Sequence, residues 1–202
     1  TAGGFKVLPT YHPAAVLRQW ELRPVTILDL MKAQRESAFP EIRRPPREVY
    51  IPETLEDLHA FRDSYITDKL TVDIETSGSQ ITCIGLEPEP TRALVIPFFD
   101  GRRKERSYWD TAEHESAAWG YIRRLLMDRG IRKTFQNGLY DIAFIWRSTG
   151  IKVLGAEEDT MLLHHALQPE SLKGLGFLGS IYSDEGAWKT MRERVTTIKK
   201  DE

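Results

Sequence analysis

The stretch Leu70-Thr71-Val72-Asp73-Ile74-Glu75-Thr76 alternates apolar and polar residues with a period of two, the mark of a β-strand with one buried face. On such a strand Val72 and Ile74 point one way, Asp73 and Glu75 the other. Two carboxylates side by side on one strand face repel each other and lose hydration. They persist where a cation or hydrogen-bond donors neutralise them. Oxygen ligands at that spacing suit Mg²⁺ or Mn²⁺, hard ions that also bind phosphate. An edge strand with that face in water carries the same pattern without any ligand, so both readings stand at this point.

Working outward, strand candidates follow at 81–87 and 92–98, joined through the turn Ser77-Gly78-Ser79 and a stretch holding Pro88 and Pro90. Three short strands with tight turns predict an antiparallel meander. Upstream, Thr54 and Asp57 form a capping-box start for a helix with Leu55, Leu58 and Phe61 on one side. Downstream, a long helix is expected over 111–129, with Asp110 and Glu113 as its capping box and Gly130 as its stop. A strand at 131–135 and helices at 139–148 and 158–167 complete the pattern. A meander followed by alternating helix and strand predicts an α/β domain with a mixed sheet flanked by helices.

A second acidic signal lies in Lys133-Thr134-Phe135-Gln136-Asn137-Gly138-Leu139-Tyr140-Asp141. Asn137 and Gly138 tolerate left-handed backbone angles, so the chain can turn sharply there. Asp141 then falls in the first turn of a helix that is otherwise apolar at Ile142, Phe144 and Ile145. Capping alone would account for that aspartate, and capping does not exclude metal binding.

The 202 residues are 41% hydrophobic and 29% charged, as in a globular protein of one or two domains. A net charge of −2 provides no overall basic field, which argues against a non-specific DNA coater but not against a nuclease that grips its substrate locally. Cys83 is the only cysteine, so no disulfide framework is present and a reducing compartment is the default. No run approaches the ~18 apolar residues of a membrane span, and no signal peptide is visible. Residues 37–52, with Pro40, Pro45, Pro46 and Pro52 among Arg43, Arg44 and Arg47, read as a semi-rigid linker. They follow a piece of 36 residues (1–36) too short for its own core. The main domain is expected at 53–202.

These motifs together resemble the DEDD exonucleases, most closely the proofreading domains of family A DNA polymerases, including phage versions. Asp73 and Glu75 match the family's Asp-x-Glu strand, and Asn137 with Asp141 its Asn-x-x-x-Asp motif. The segments 158–167 and 172–182 resemble the helices that follow. The resemblance implies a ribonuclease H-like fold and two-metal hydrolysis of single-stranded DNA from its 3′ end, in proofreading or repair, using two Mg²⁺ or Mn²⁺ ions. Asp73 would bridge both ions, Glu75 would bind the first and Asp141 help hold the second. Thr76, Asn137 and Tyr140 would meet the substrate, and Asp159 is a possible accessory acid. It also implies a covalently linked polymerase domain beyond Glu202, and the cytoplasm of a bacterial or phage-infected cell, with no membrane partner.

The family's fourth carboxylate has no counterpart here. Four residues past Tyr182 stands Gly186, and four past His165 stands Pro169; Asp184 and Asp201 lack the motif partner. A cut before that motif is the expectation. Two alternatives therefore stay open: a ribonuclease D-like 3′–5′ exoribonuclease, and a catalytically inactive nucleic-acid-binding domain. Separately, 7–33 resembles the C-terminal motif of uracil-DNA glycosylases. His12 and Arg18 match it, which implies a glycosylase domain upstream. Helices are expected there at 14–20 and 29–35. The basic run at Arg102, Arg103, Lys104 and Arg106 is expected to be a solvated loop. Trp109, Trp119, Trp146 and Trp188 are expected in the core, Cys83 in a buried strand, and His164 with His165 is a poor metal pair on a helix.

Overall fold

The computed structural model describes residues 3–43, 45–63 and 67–183; Arg44, Asp184, Gly186, Trp188, Asp201 and the rest of 184–202 lie outside them. The chain divides into two compact units, one of residues 46–163 and one of residues 1–45 with 164–202.

The larger unit is built on a six-stranded mixed sheet in the order β1-β4-β3-β2-β5-β6. Its strands are β1 (Glu48–Tyr50), β2 (Lys69–Ser77), β3 (Gln80–Glu89), β4 (Arg92–Pro97), β5 (Arg132–Phe135) and β6 (Ala156–Asp159). β2, β3 and β4 form the expected antiparallel meander. β1 runs parallel to β4, β5 parallel to β2, and β6 parallel to β5. This is the mixed sheet flanked by helices that the pattern predicted, and it has the ribonuclease H-like arrangement.

Leu70, Val72 and Ile74 of β2 are buried with Ile84 and Leu86 of β3 and Leu94 and Ile96 of β4. Leu58 and Phe61 of a helix at Leu55–Asp63 and Ala118, Tyr121, Ile122 and Leu126 of one at Ala112–Met127 join the same core. The first of these helices opens on the predicted capping box: Asp57 N–H donates to Thr54 Oγ1 (3.1 Å) and Thr54 N–H to Asp57 Oδ2 (2.9 Å). The second starts one residue later than expected. Thr111, not Asp110, is its cap and accepts from His114 N–H at 3.2 Å. It stops at Met127 because Asp128 takes an extended conformation and turns its carboxylate to Gly130 N–H (2.7 Å).

Two strands correct the sequence reading. Residues 48–50, inside the stretch read as linker, form β1. Three residues among prolines are too few for periodicity to register, but Glu48 N–H finds Thr91 O (2.8 Å) and Tyr50 stacks on Phe61 with centroids 5.5 Å apart. Residues 156–159 form β6 where a helix was expected from Glu158; that helix starts at Thr160. The acidic run Glu157-Glu158-Asp159 hides a strand held by pairing to β5 and by Glu158, which accepts from Thr134 Oγ1 (2.9 Å) and pairs with Lys69 (2.7 Å).

The smaller unit contains helices at Pro13–Arg18, Arg23–Glu36 and Leu175–Tyr182, with a 3₁₀ turn at Trp20–Leu22. The helix expected at 29–35 thus begins at Arg23, where Pro24 supplies a pre-set first turn. No residue of the first two helices is buried. Within this unit Lys6 pairs with Glu36 (2.9 Å) and Lys32 donates to Ser183 O (2.9 Å). Among the described residues no helix is long and apolar enough to cross a membrane.

Candidate active site

β2 separates its two faces as its sequence requires: Leu70, Val72 and Ile74 are buried, while Asp73 and Glu75 are exposed. In the antiparallel pairing Asp73 lies opposite Gly85 and Glu75 opposite Cys83. A Cβ on residue 85 would stand 3.8 Å from the Asp73 carbonyl oxygen, an ordinary contact, so sterics do not demand glycine there. Cys83 is half-buried rather than buried, and cross-strand partners share a face, so its thiol belongs to the carboxylate side of the sheet. Only the register reveals this; burial and then the Glu75 charge push the thiol's pKa up. Just past Glu75 the register shifts at a bulge, where Thr82 Oγ1 donates to Glu75 O at 3.0 Å. Bulges of this kind re-aim the side chains that follow.

Asp141 arrives from the other side of β2. The parallel pairing of β2 with β5 covers only Lys69 to Thr71, so the N–H of Ile74 lies beyond its reach. Asp141 Oδ1 accepts that N–H at 3.3 Å. The helix that carries it, the fifth α-helix in chain order among the described residues (α5, Gly138–Thr149), starts after Asn137, which adopts the left-handed conformation with φ 61°. Gly138 is required for a different reason: a Cβ there would stand 2.5 Å from Phe135 Cβ. The expected Asn-Gly turn is therefore present, and each residue has its own steric cause.

Electrostatics distinguishes these acids. Although the Asp73 side chain reaches solvent, its carboxyl is partly desolvated against the sheet, which raises it above the usual range, and the Glu75 charge adds to it. Asp141, only 6% exposed, is pushed up to about 6, by burial first and with the charges of Asp73 and Asp159 adding, against the Ile74 hydrogen bond. Desolvated acids that repel one another are the chemistry a divalent cation relieves. Their oxygens fit Mg²⁺ or Mn²⁺. Among the described residues, however, no group of three or more His, Cys, Asp or Glu side chains is closed tightly enough to hold a metal ion.

The expected substrate-contacting residues cluster nearby. Thr76 Oγ1 and Tyr140 Oη lie 2.9 Å apart, joining the end of β2 to the first turn of α5. Tyr140 is half-exposed and its ring meets Phe144 at 5.7 Å. Asn137 is exposed. Asp159, the accessory candidate, is occupied otherwise: its carboxylate accepts from the N–H groups of Asn137 (3.1 Å), Gly138 (2.7 Å), Met161 (2.9 Å) and Leu162 (3.3 Å).

Other candidates stand in other surroundings. His12 is exposed and caps its helix, Nδ1 accepting from Ala14 N–H at 3.1 Å, and Arg18 is exposed in that helix's last turn. The basic run is partly neutralised. Arg102 holds Asp100 with two hydrogen bonds (2.9 and 3.0 Å), which keeps the Asp100 carboxyl down at about 2, and Arg103 pairs with Asp110 (2.6 Å). Trp109 is buried and Trp119 stacks on Phe98 at 4.1 Å, but Trp146 is 57% exposed and is not a core residue. Its helix turns that side outward. His164 is buried and bonds Tyr182 through Nδ1 (3.0 Å), a packing role.

The 3′–5′ exonuclease family model matches residues 46–191. No curated protein sequence matches the chain. Among solved structures, Brucella melitensis NrnC is 20% identical, with 67% of this chain covered and a TM-score of 0.45; the chain spans 58% of that protein's length. Escherichia coli RNase D, an exoribonuclease involved in structured RNA processing, is 16% identical with a TM-score of 0.52, covering 72% of this chain and 36% of its own. Trypanosoma brucei RNase D in complex with RNA U12 is 19% identical with a TM-score of 0.50, covering 69% and 48%. For the two RNase D structures the likeness is one of fold.

Proposed function

The chain belongs to the 3′–5′ exonuclease family, and from that premise we propose that it hydrolyses phosphodiester bonds at the 3′ end of single-stranded DNA, with Asp73, Glu75 and Asp141 as its catalytic carboxylates. The observation that carries this reading is Asp141, a buried acid with its carboxyl pushed up to about 6, bonded to the backbone of the strand that presents Asp73 and Glu75. Acids held so are poor structural neighbours and good cation ligands. Mg²⁺ or Mn²⁺ ions held by these three residues would supply the positive charge that activates a water and steadies the leaving 3′ oxygen. The chain itself orients: Ile74 N–H fixes the Asp141 carboxylate, and the Thr76–Tyr140 hydroxyl pair forms a wall for the terminal nucleotide, with Asn137 at the turn beside it. Tyr140 and Phe144 offer ring faces on which an unpaired base can stack.

The test is digestion of matched, 5′-labelled DNA and RNA single strands with Mg²⁺, with Mn²⁺ and with chelator. A DNA ladder shortened from the 3′ end, abolished by chelator and by Asp73→Ala, is the expected result. RNA taken in clear preference would move the assignment to the exoribonuclease, a substrate choice suggested by the RNA U12 held by Trypanosoma brucei RNase D. Binding of either strand without hydrolysis would point to a non-catalytic nucleic-acid-binding domain. The proofreading or repair setting, a linked polymerase domain, an upstream glycosylase domain signalled by His12 and Arg18, phage-like ancestry and a cytoplasmic location rest on sequence resemblance and on the single cysteine.

A further inference from the structure

We propose that Asp159 is a positioning residue: by tying the starts of two helices to one carboxylate it fixes where Asp141 stands. The proposal rests on the assignment of Asp141 given above.

A helix leaves its first N–H groups without partners inside the helix. At the start of α5 the residue in the capping position is Asn137, whose side chain makes no capping bond. The missing acceptor comes from more than twenty residues downstream, where Asp159 takes Asn137 N–H on Oδ1 and Gly138 N–H on Oδ2. The same carboxylate takes Met161 N–H and Leu162 N–H on Oδ1, capping the helix at Thr160–Leu167. Three of the four N–H donors fall on Oδ1 and one on Oδ2, so both oxygens of the carboxylate are held by backbone. Asp159 is therefore engaged chiefly with the backbone at the starts of two helices. A second tie runs beside it, from Thr160 Oγ1 to Phe135 O at 3.2 Å and to the Gln136 side chain.

The consequence for Asp141 follows from helix geometry. Gly138 and Asp141 are separated by a single helical turn, a unit too stiff to absorb a shift at its start. Gly138 is packed against Phe135, where even a Cβ would collide, and its N–H is held by Asp159, so its position is constrained at two points. Asp141 Oδ1 must reach Ile74 N–H at 3.3 Å, a bond near the long end of its range, so a small displacement loses it.

The decisive reading is the amide exchange of Ile74 in the full chain, because Ile74 bonds Asp141 and makes no bond to Asp159. Asp159→Asn puts an NH₂ group against a backbone N–H. Asp159→Ser keeps a short oxygen for Met161 and Leu162 but cannot also serve Asn137 and Gly138. In either variant the protection of Ile74 N–H should fall roughly tenfold along with that of Asn137 and Gly138. Unchanged Ile74 protection beside lost protection at Asn137 and Gly138 would make Asp159 a local cap and overturn the proposal. Should neither variant fold, the wild-type chain in mild denaturant decides. Exchange of Ile74, Asn137 and Gly138 through one shared opening supports the coupling, and separate openings refute it. In the nuclease assay Asp159→Ser should lower kcat by about 10–100-fold, leave KM for the oligonucleotide in place and raise the Mg²⁺ concentration for half-activity. Added to Asp141→Asn it should cost less than about twofold more, since residues acting through one another are not additive. Losses that multiply would assign Asp159 an independent role. An inactive wild-type chain would refute the exonuclease reading while leaving the exchange result to stand by itself.

Discussion

Two aspartates open two neighbouring helices and meet opposite fates. Asp159 draws four N–H donors, which outweigh its burial and hold its carboxyl below the usual range. Asp141, buried to 6% exposure, receives Ile74 N–H and faces the charges of Asp73 and Asp159, and its carboxyl is pushed up to about 6. The first is satisfied by the chain and stabilises it. The second is left short of donors, an arrangement that costs stability and keeps an acid available for a cation. Residue type is alike in the two, but Asp159 stands just before its helix and Asp141 is the fourth residue of its own, so the supply of backbone donors separates them.

Removal of an acid of the second kind should have the largest effect. Asp73→Ala should slow hydrolysis on the order of 10³-fold or more, about 4 kcal/mol of barrier. Product analysis on labelled single strands measures it, and a loss under tenfold would remove Asp73 from the site. Next comes a pair of stability changes of opposite sign. Asp159→Asn should destabilise the metal-free chain by about 1 kcal/mol, because its amide oxygen can keep one helix cap while the NH₂ group loses the other. Asp141→Asn, which keeps an oxygen for Ile74 N–H, should stabilise it at neutral pH by up to about 2 kcal/mol while abolishing activity. Denaturant unfolding of both variants reads this directly. Equal signs would show that the two aspartates do the same work.

The pH dependence sharpens the same contrast. Asp141 has a folded pKa of about 6, above its usual 3.8. Its protonated form is therefore favoured by folding: the stabilising contribution is complete below the unfolded value and is lost as pH rises through about 6. Asp159 is shifted downward, so its contribution is present above the usual 3.8 and is lost as pH falls through its lowered value. Between pH 6 and 4 wild type should gain stability relative to Asp141→Asn, and the gain should disappear when Mg²⁺ or Mn²⁺ occupies the acids. A smaller steric test is Gly138→Ala, which sets a Cβ 2.5 Å from Phe135 Cβ and should cost about 1–3 kcal/mol with activity falling alongside. Smallest of all, Arg102→Ala on the exposed loop should change stability by less than about 0.5 kcal/mol and leave cleavage intact.

Much of this was legible in residue order. The meander shows in the turns at 77–79 and 87–91, the helix at Leu55–Asp63 in its Thr54–Asp57 box, and the paired face of Asp73 and Glu75 in simple alternation. Strand β6 was not legible, because Glu157, Glu158 and Asp159 look like a charged helix start until a neighbouring strand pairs with them. The half-exposed place of Cys83 was equally hidden, since it depends on the register opposite Glu75.

Which side chains share a strand face and where helices can start follow from residue order, because period, capping chemistry and turn residues act over a few neighbours. Only the tertiary structure decided that Asp141 meets the backbone of β2 and that Asp159 reaches back to the start of α5. Those outcomes depend on where parallel pairing ends and on which N–H groups are left over, quantities set by chain segments tens of residues apart.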